Sequence, residues 1–294
     1  MLPKDPPLLH GLLLWASSDE KEEDHMNKLK LTALLLGTVM CFGTFACCEN
    51  KKNDESDSSA VSDESEDNAS ENEDTESETE AFDREGYNEK IMERIEKAKV
   101  ADKAPVLGKI GKTVTPAGDE KEAELGAYHE SDSGVKFYYN EEEFPEELML
   151  TLEAYFNSFA DADYTAYTSC AYPEYVEKMD EYLKKEFEYD MKTSFGTNCT
   201  NLAENMKGEF KVTRIKMDVP QQYEEDKDNL EAYFESFSDV LGEGYYEKLK
   251  KEVDKIYDGE FYIMASDEHG DESLLVSAYE IVFAEKDGRY YVFG

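Results

Sequence analysis

Thirty-two residues near the start decide where this chain can fold. Glu49 to Glu80 carries fourteen Asp or Glu against two lysines, and its only apolar residues are Ala60, Val61 and Ala69. With so little to bury, it cannot offset the entropy of ordering its backbone. Like charges stretch it further, to roughly 100 Å at about 3.3 Å per residue. The expectation is a disordered acidic tether over 47–81, with the folded elements beyond it. Calcium capture is the rival use. Calcium loops converge their oxygens through a turn, as in DxDxDG, and this run has no glycine.

The stretch before the tether, Met26 to Cys47, reads MNKLKLTALLLGTVMCFGTFAC. Lys28 and Lys30 precede the apolar run Leu31 to Ala46. As a helix that run is roughly 24 Å long at about 1.5 Å per residue, short of a ~30 Å hydrocarbon core. It reads as an export signal over 26–46 rather than a permanent span. Thr44-Phe45-Ala46-Cys47 resembles the lipobox of bacterial lipoproteins, with the small Ala46 before the cut and Thr44 where an aliphatic residue is usual. The resemblance implies that Cys47 is joined to diacylglycerol and holds the protein to the extracytoplasmic face of the bacterial cell membrane. A plain secretory signal cut near Ala46, or a short anchor, is the alternative.

Residues 1–25 contain the apolar octet LLHGLLLW, too short to cross a bilayer. Asp19, Glu20, Glu22, Glu23 and Asp24 follow, acids where a signal needs positive charge. We expect a mis-assigned extension ahead of a start at Met26, or else one cleaved with the signal. Trp15 is the sole tryptophan, so the mature chain would fluoresce through tyrosine alone.

The formal net charge of −39 argues against nucleic acid as a partner and against charge-driven adhesion to anionic lipid. Membrane contact is expected through the lipid on Cys47. The cysteines Cys41, Cys47, Cys48, Cys170 and Cys199 form no CxxC and no zinc spacing. Gly111-Lys112-Thr113 ends like a phosphate loop, but Val106 stands where GxxxxGK[ST] needs its first glycine.

Residues 82–146 read as an intermediate segment. Tyr87, Ile91, Ile95 and Ala98 give Phe82–Val100 a helical face. A Pro/Gly-rich loop follows, then a strand at Gly134–Tyr139, with His129 in a polar surface turn. The folded domain is placed at 147–294. Leu148, Leu152, Tyr155, Phe156 and Phe159 stripe a first helix, broken at Asp161 and Asp163. A second is expected from Pro173 to near Gly196. Phe210–Met217 alternates as a strand with a bulge near Thr213. Helices through Leu230–Leu241 and Tyr246–Ile256 precede strands Glu260–Ser266, Ser273–Glu285 and Arg289–Phe293, the last two joined by an Asp287-Gly288 hairpin turn. This order predicts an α+β fold with helices packed on one face of a curved antiparallel sheet. Leu152–Phe159 (LEAYFNSF) recurs as Leu230–Phe237 (LEAYFESF), and convergent amphipathic helices are the simpler reading.

The opening LEAYFNSFADADYTAY and the ending AEKDGRYYVFG resemble bacterial lipoprotein domains of the nuclear transport factor 2-like, cystatin-like cone class. Arg289-Tyr290 replaces the usual Lys-Trp. The resemblance implies a cone-like domain whose cavity takes a small ligand or an envelope protein. In enzymes of that class an Asp base and Tyr or Asp donors work inside the cavity. The candidates here are Asp161 and Asp163 with Tyr155, Tyr164, Tyr167, Tyr172, Tyr175, Tyr182, Tyr262, Tyr279 and Tyr290. No catalytic, cofactor or metal motif matches residue by residue. Capping aspartates and core tyrosines account for the same residues. Asp267 to Glu272, with His269, reads as a solvated hairpin loop rather than a metal site. Binding without catalysis is the leading reading; an enzyme on the same cavity and an envelope structural module are the alternatives.

Cys170 and Cys199 are a possible disulfide in an exported domain. A continuous helix from Pro173 to Ser194 is roughly 33 Å long, whereas a disulfide brings Cα atoms within about 7 Å. The bridge therefore requires that helix to break or fold back.

Overall fold

The computed structural model describes residues 82–98, 107–118, 121–220 and 229–294. The readings placed on 1–81, Cys47 and the tether among them, lie outside these residues. The described chain is a mixed α+β protein with a six-stranded, mostly antiparallel sheet in the order β1-β2-β3-β4-β5-β6.

Helix α1 (Arg84–Lys97) starts where Asp83 accepts the Gly86 N–H at 3.0 Å. It buries Ile91 and Ile95 against a later helix. Strands β1 (His129–Glu130) and β2 (Lys136–Tyr138) lead to α2 (Glu146–Ala160), the expected aromatic stripe, which packs on β3 and β6. Strand β2 pairs in parallel with β3, Phe137 opposite Ile215. The segment set apart as 82–146 therefore supplies a helix and two strands to the same fold as the domain. Asp161 ends α2, and Asp163 caps α3 (Tyr164–Cys170) by accepting the Ala166 N–H at 3.0 Å.

The long helix expected from Pro173 is two. Helix α4 (Pro173–Phe187) stops at Glu188, which takes a left-handed φ of 63°. Asp190 then accepts the Thr193 N–H at 2.8 Å and the Thr193 hydroxyl at 2.7 Å, starting α5 (Met191–Asn205). Asp180 of α4 accepts the Met191 N–H at 3.0 Å and pins the hairpin. Gly196, expected to stop the helix, lies inside α5. A Cβ there would run into the Met92 sulfur and lie 3.2 Å from Ile95 Cδ1, so this glycine lets α1 close onto α5.

Strand β3 (Phe210–Asp218) carries the expected bulge. Its register steps from Val212–Ala265 to Arg214–Met264, which lets Val212, Ile215 and Met217 all be buried. Helices α6 (Asn229–Ser236), α7 (Ser238–Leu241) and α8 (Tyr245–Leu249) follow. The last expected helix ends early: Lys255 already pairs with Glu285, so Ile256 belongs to β4 (Lys255–Asp267). Strands β5 (Glu272–Lys286) and β6 (Arg289–Phe293) meet at Asp287 and Gly288, both at positive φ, 54° and 70°. That is the conformation Asp-Gly favours in a two-residue hairpin.

A candidate functional site of converging tyrosines

Five elements bring tyrosines to one place. Tyr155 of α2, Tyr167 of α3 and Tyr175 of α4 are buried, at 6%, 3% and 2% exposure. Tyr233 of α6 and Tyr279 of β5 complete the group, each within electrostatic range of Tyr155 and Tyr175. Tyr155 and Tyr233 hold the same position in the two LEAYF octets, so the repeat delivers one phenol from each copy. Tyr279 is aimed by a bulge: β4 advances from Phe261 to Ile263 while β5 runs from Tyr279 back to Val276. Ala278 inside that bulge takes φ 49°, unfavourable for a residue with a Cβ.

Two hydroxyls are occupied by the last strand. Tyr167 donates to the Gly294 carbonyl at 3.1 Å and Tyr233 to the Phe293 carbonyl at 2.8 Å. Those of Tyr155 and Tyr175 have no hydrogen-bond partner among the described residues. Tyr155 lies near enough to Tyr175 to feel its charge, yet the two hydroxyls form no hydrogen bond. Burial, and then the neighbouring tyrosines, pushes the pKa of Tyr155, Tyr167 and Tyr233 far up, and that of Tyr175 likewise through burial and Tyr279. All four are therefore neutral donors near neutral pH. Tyr155 and Tyr175 are buried while their hydroxyls make no hydrogen bond among the described residues, so each can donate to an oxygen acceptor.

Carboxyls stand beside the group. Glu280, next to Tyr279, acts electrostatically on Tyr233. Partial burial raises its pKa, the Glu260 charge adds to this, and its hydrogen bond with Asp258 opposes it. No motif marks these acids. They meet each other because β4 and β5 pair Glu260 with Glu280.

Other sequence candidates go elsewhere. Asp163 is spent capping α3; Asp161 ends α2 through its backbone N–H, and burial raises its carboxyl pKa, helped by the Asp163 and Glu209 charges and opposed by the Arg94 charge. Tyr172 stacks on Phe293 at 4.8 Å, Tyr182 packs on Phe187, and Tyr290 packs on Tyr257. Tyr164 rests on Phe195, and the Tyr262 hydroxyl bonds Glu260 at 2.7 Å. Asp267 accepts the backbone N–H groups of His269 and Asp271, both at 2.9 Å, and so caps its own turn.

Cys170 and Cys199 are both free and buried. The fold-back that a bridge requires is present at Glu188–Asp190, but the thiols end among different neighbours. Cys170 sits near Tyr155 and Arg289, and Cys199 near Tyr87 and Arg94.

His129, expected at the surface, is only 13% exposed. It reaches Glu141 at 2.7 Å through Nε2 and the Gly111 carbonyl at 3.2 Å through Nδ1. It lines a polar cleft of about 560 Å³ with Gly111, Lys112, Thr113 and Tyr139. No protein-family model matches the chain, and no curated protein or solved structure is significantly similar to it.

Proposed function

We propose that a lipid on Cys47 holds this protein to the extracytoplasmic face of a bacterial cell membrane. Its domain, cone-like in the manner of the nuclear transport factor 2-like class, binds a small ligand without catalysis. The ligand presents a carbonyl or carboxylate oxygen to Tyr155 and Tyr175. The observation that carries the binding reading is that two buried tyrosines, within electrostatic range of each other, have hydroxyls with no hydrogen-bond partner among the described residues. The packing of α2 on both β3 and β6 supports a sheet curved around that helix.

Phenylalanine replacement tests it. Removing a hydroxyl that makes no hydrogen bond should leave stability about unchanged. Tyr155→Phe and Tyr175→Phe should therefore melt no lower than the parent while losing any ligand that copurifies with it, read by native mass spectrometry. A loss of about 1–2 kcal/mol in each variant would mean that the hydroxyls hold the fold together. One observation favours the enzyme alternative: Glu280, held above the ordinary glutamate range beside Tyr233. A carboxyl with a raised pKa within electrostatic range of a neutral phenol can act as a general acid or base. If Glu280→Gln retains a bound ligand but stops its conversion, that reading replaces the first.

A further inference from the structure

A separate concavity lies between α6 and α8, away from the converging hydroxyls. It measures about 410 Å³, inside the roughly 300–1,000 Å³ range of small-molecule sites. Its wall is aromatic: Phe234 and Tyr245 are buried, and Phe234 stacks on Tyr246 with centroids 5.5 Å apart. Its rim is acidic. Glu231 and Glu235 are one turn apart on α6, and Glu243 and Glu247 flank the start of α8. Among the described residues no cationic side chain lines it, and Glu231 and Glu243 have no ion-pair partner. Gly242 and Gly244, at φ 92° and 70°, border open space at the mouth, where a Cβ would have no neighbour within 4 Å.

The same rings already carry ammonium groups from the chain itself. Lys250 Nζ lies 4.3 Å from the Tyr246 centroid while pairing with Glu247, and Lys248 Nζ lies 5.5 Å from the Tyr245 centroid. Ammonium, ring face and carboxylate together are a favourable arrangement. We propose that this cavity binds a small organic cation of the alkylammonium class. Its alkyl groups lie on the aromatic wall and its charge faces Glu231 and Glu243. A bare metal ion would gain nothing from the rings, and an anion would be repelled by the rim.

Calorimetry on the full chain in detergent tests this with two probes of one shape, choline and its uncharged analogue 3,3-dimethylbutan-1-ol. Choline should bind saturably and the alcohol should not. The double variant Glu231→Gln/Glu243→Gln, altered at exposed positions, should weaken choline binding about tenfold. Lys250→Ala removes the internal competitor at Tyr246 and should tighten it. Lys251→Ala makes the same charge change away from that ring and should not. Equal binding of the two probes, no saturable heat with choline, or affinity unaffected by the double variant would each overturn the proposal.

Discussion

Glu153 shows how a single side chain reports its surroundings. It is 6% exposed on α2, and its carboxylate accepts hydrogen bonds from the Ser131 and Ser133 hydroxyls. Burial raises its pKa; the bonds from Ser133, Ser131 and Asn157 and the Lys211 charge pull the other way. A carboxyl with a folded pKa above its unfolded one keeps its proton longer in the folded state, so stability falls as pH rises between the two values. Below the unfolded value, about 4.3, both states are protonated and the penalty is absent. Glu153→Gln keeps an oxygen for the serines and removes the charge. It should stabilise the protein at pH 7 but not at pH 4, by about 1.4 kcal/mol per pKa unit of the shift. Urea melts at the two pH values measure this, and an equal effect at both would refute it. The thiols give a second prediction. Burial pushes Cys170 up to about 12 and Cys199 higher still, so neither forms the reactive thiolate at neutral pH. Thiol reagents should reach both only after unfolding; native-state labelling of either would contradict the burial. Glu153 was not legible in LEAYFNSF, because what it bonds to lies about twenty residues upstream. Asp163 was legible as a cap because the N–H it accepts is three residues away.

Elements were readable where their cause was local. The α2 stripe, the Thr213 bulge and the Asp287-Gly288 turn all follow from short patterns. The end of α4 did not, because no glycine or proline marks it. Its only sequence trace is Asp190 three residues before Thr193, the spacing of an N-cap. Gly196 misled for the opposite reason: a residue type that usually stops helices is there to let another helix approach. That is open to measurement. Gly196→Val should cost about 2 kcal/mol through overpacking against α1, and the cost should shrink once Met92 is first cut to Ala. A double-mutant cycle by denaturant unfolding isolates the coupling. Strictly additive costs would show that α1 does not press on this position.

For the molecule as a whole, the order of helices and strands announced a mixed α+β protein, but the membership of residues 82–146 was hidden. Strand β2 joins β3 in parallel with four helices between them in the chain, a pairing no local pattern displays. The anchoring proposal is also tested at this scale. Cys47→Ala should move the protein from the membrane fraction to the soluble one, and unchanged fractionation would remove the anchor. The last strand carries a further consequence, one of timing. Tyr167 bonds Gly294 across 127 residues, the Tyr172 N–H donates to the Val292 carbonyl, and α2 leans on the same strand. On a ribosome adding about 5–20 residues per second, the early helices wait on the order of ten seconds for the strand that closes over them. Until that strand arrives, the Tyr167 hydroxyl and the Tyr172 N–H lack the acceptors they use in the finished fold.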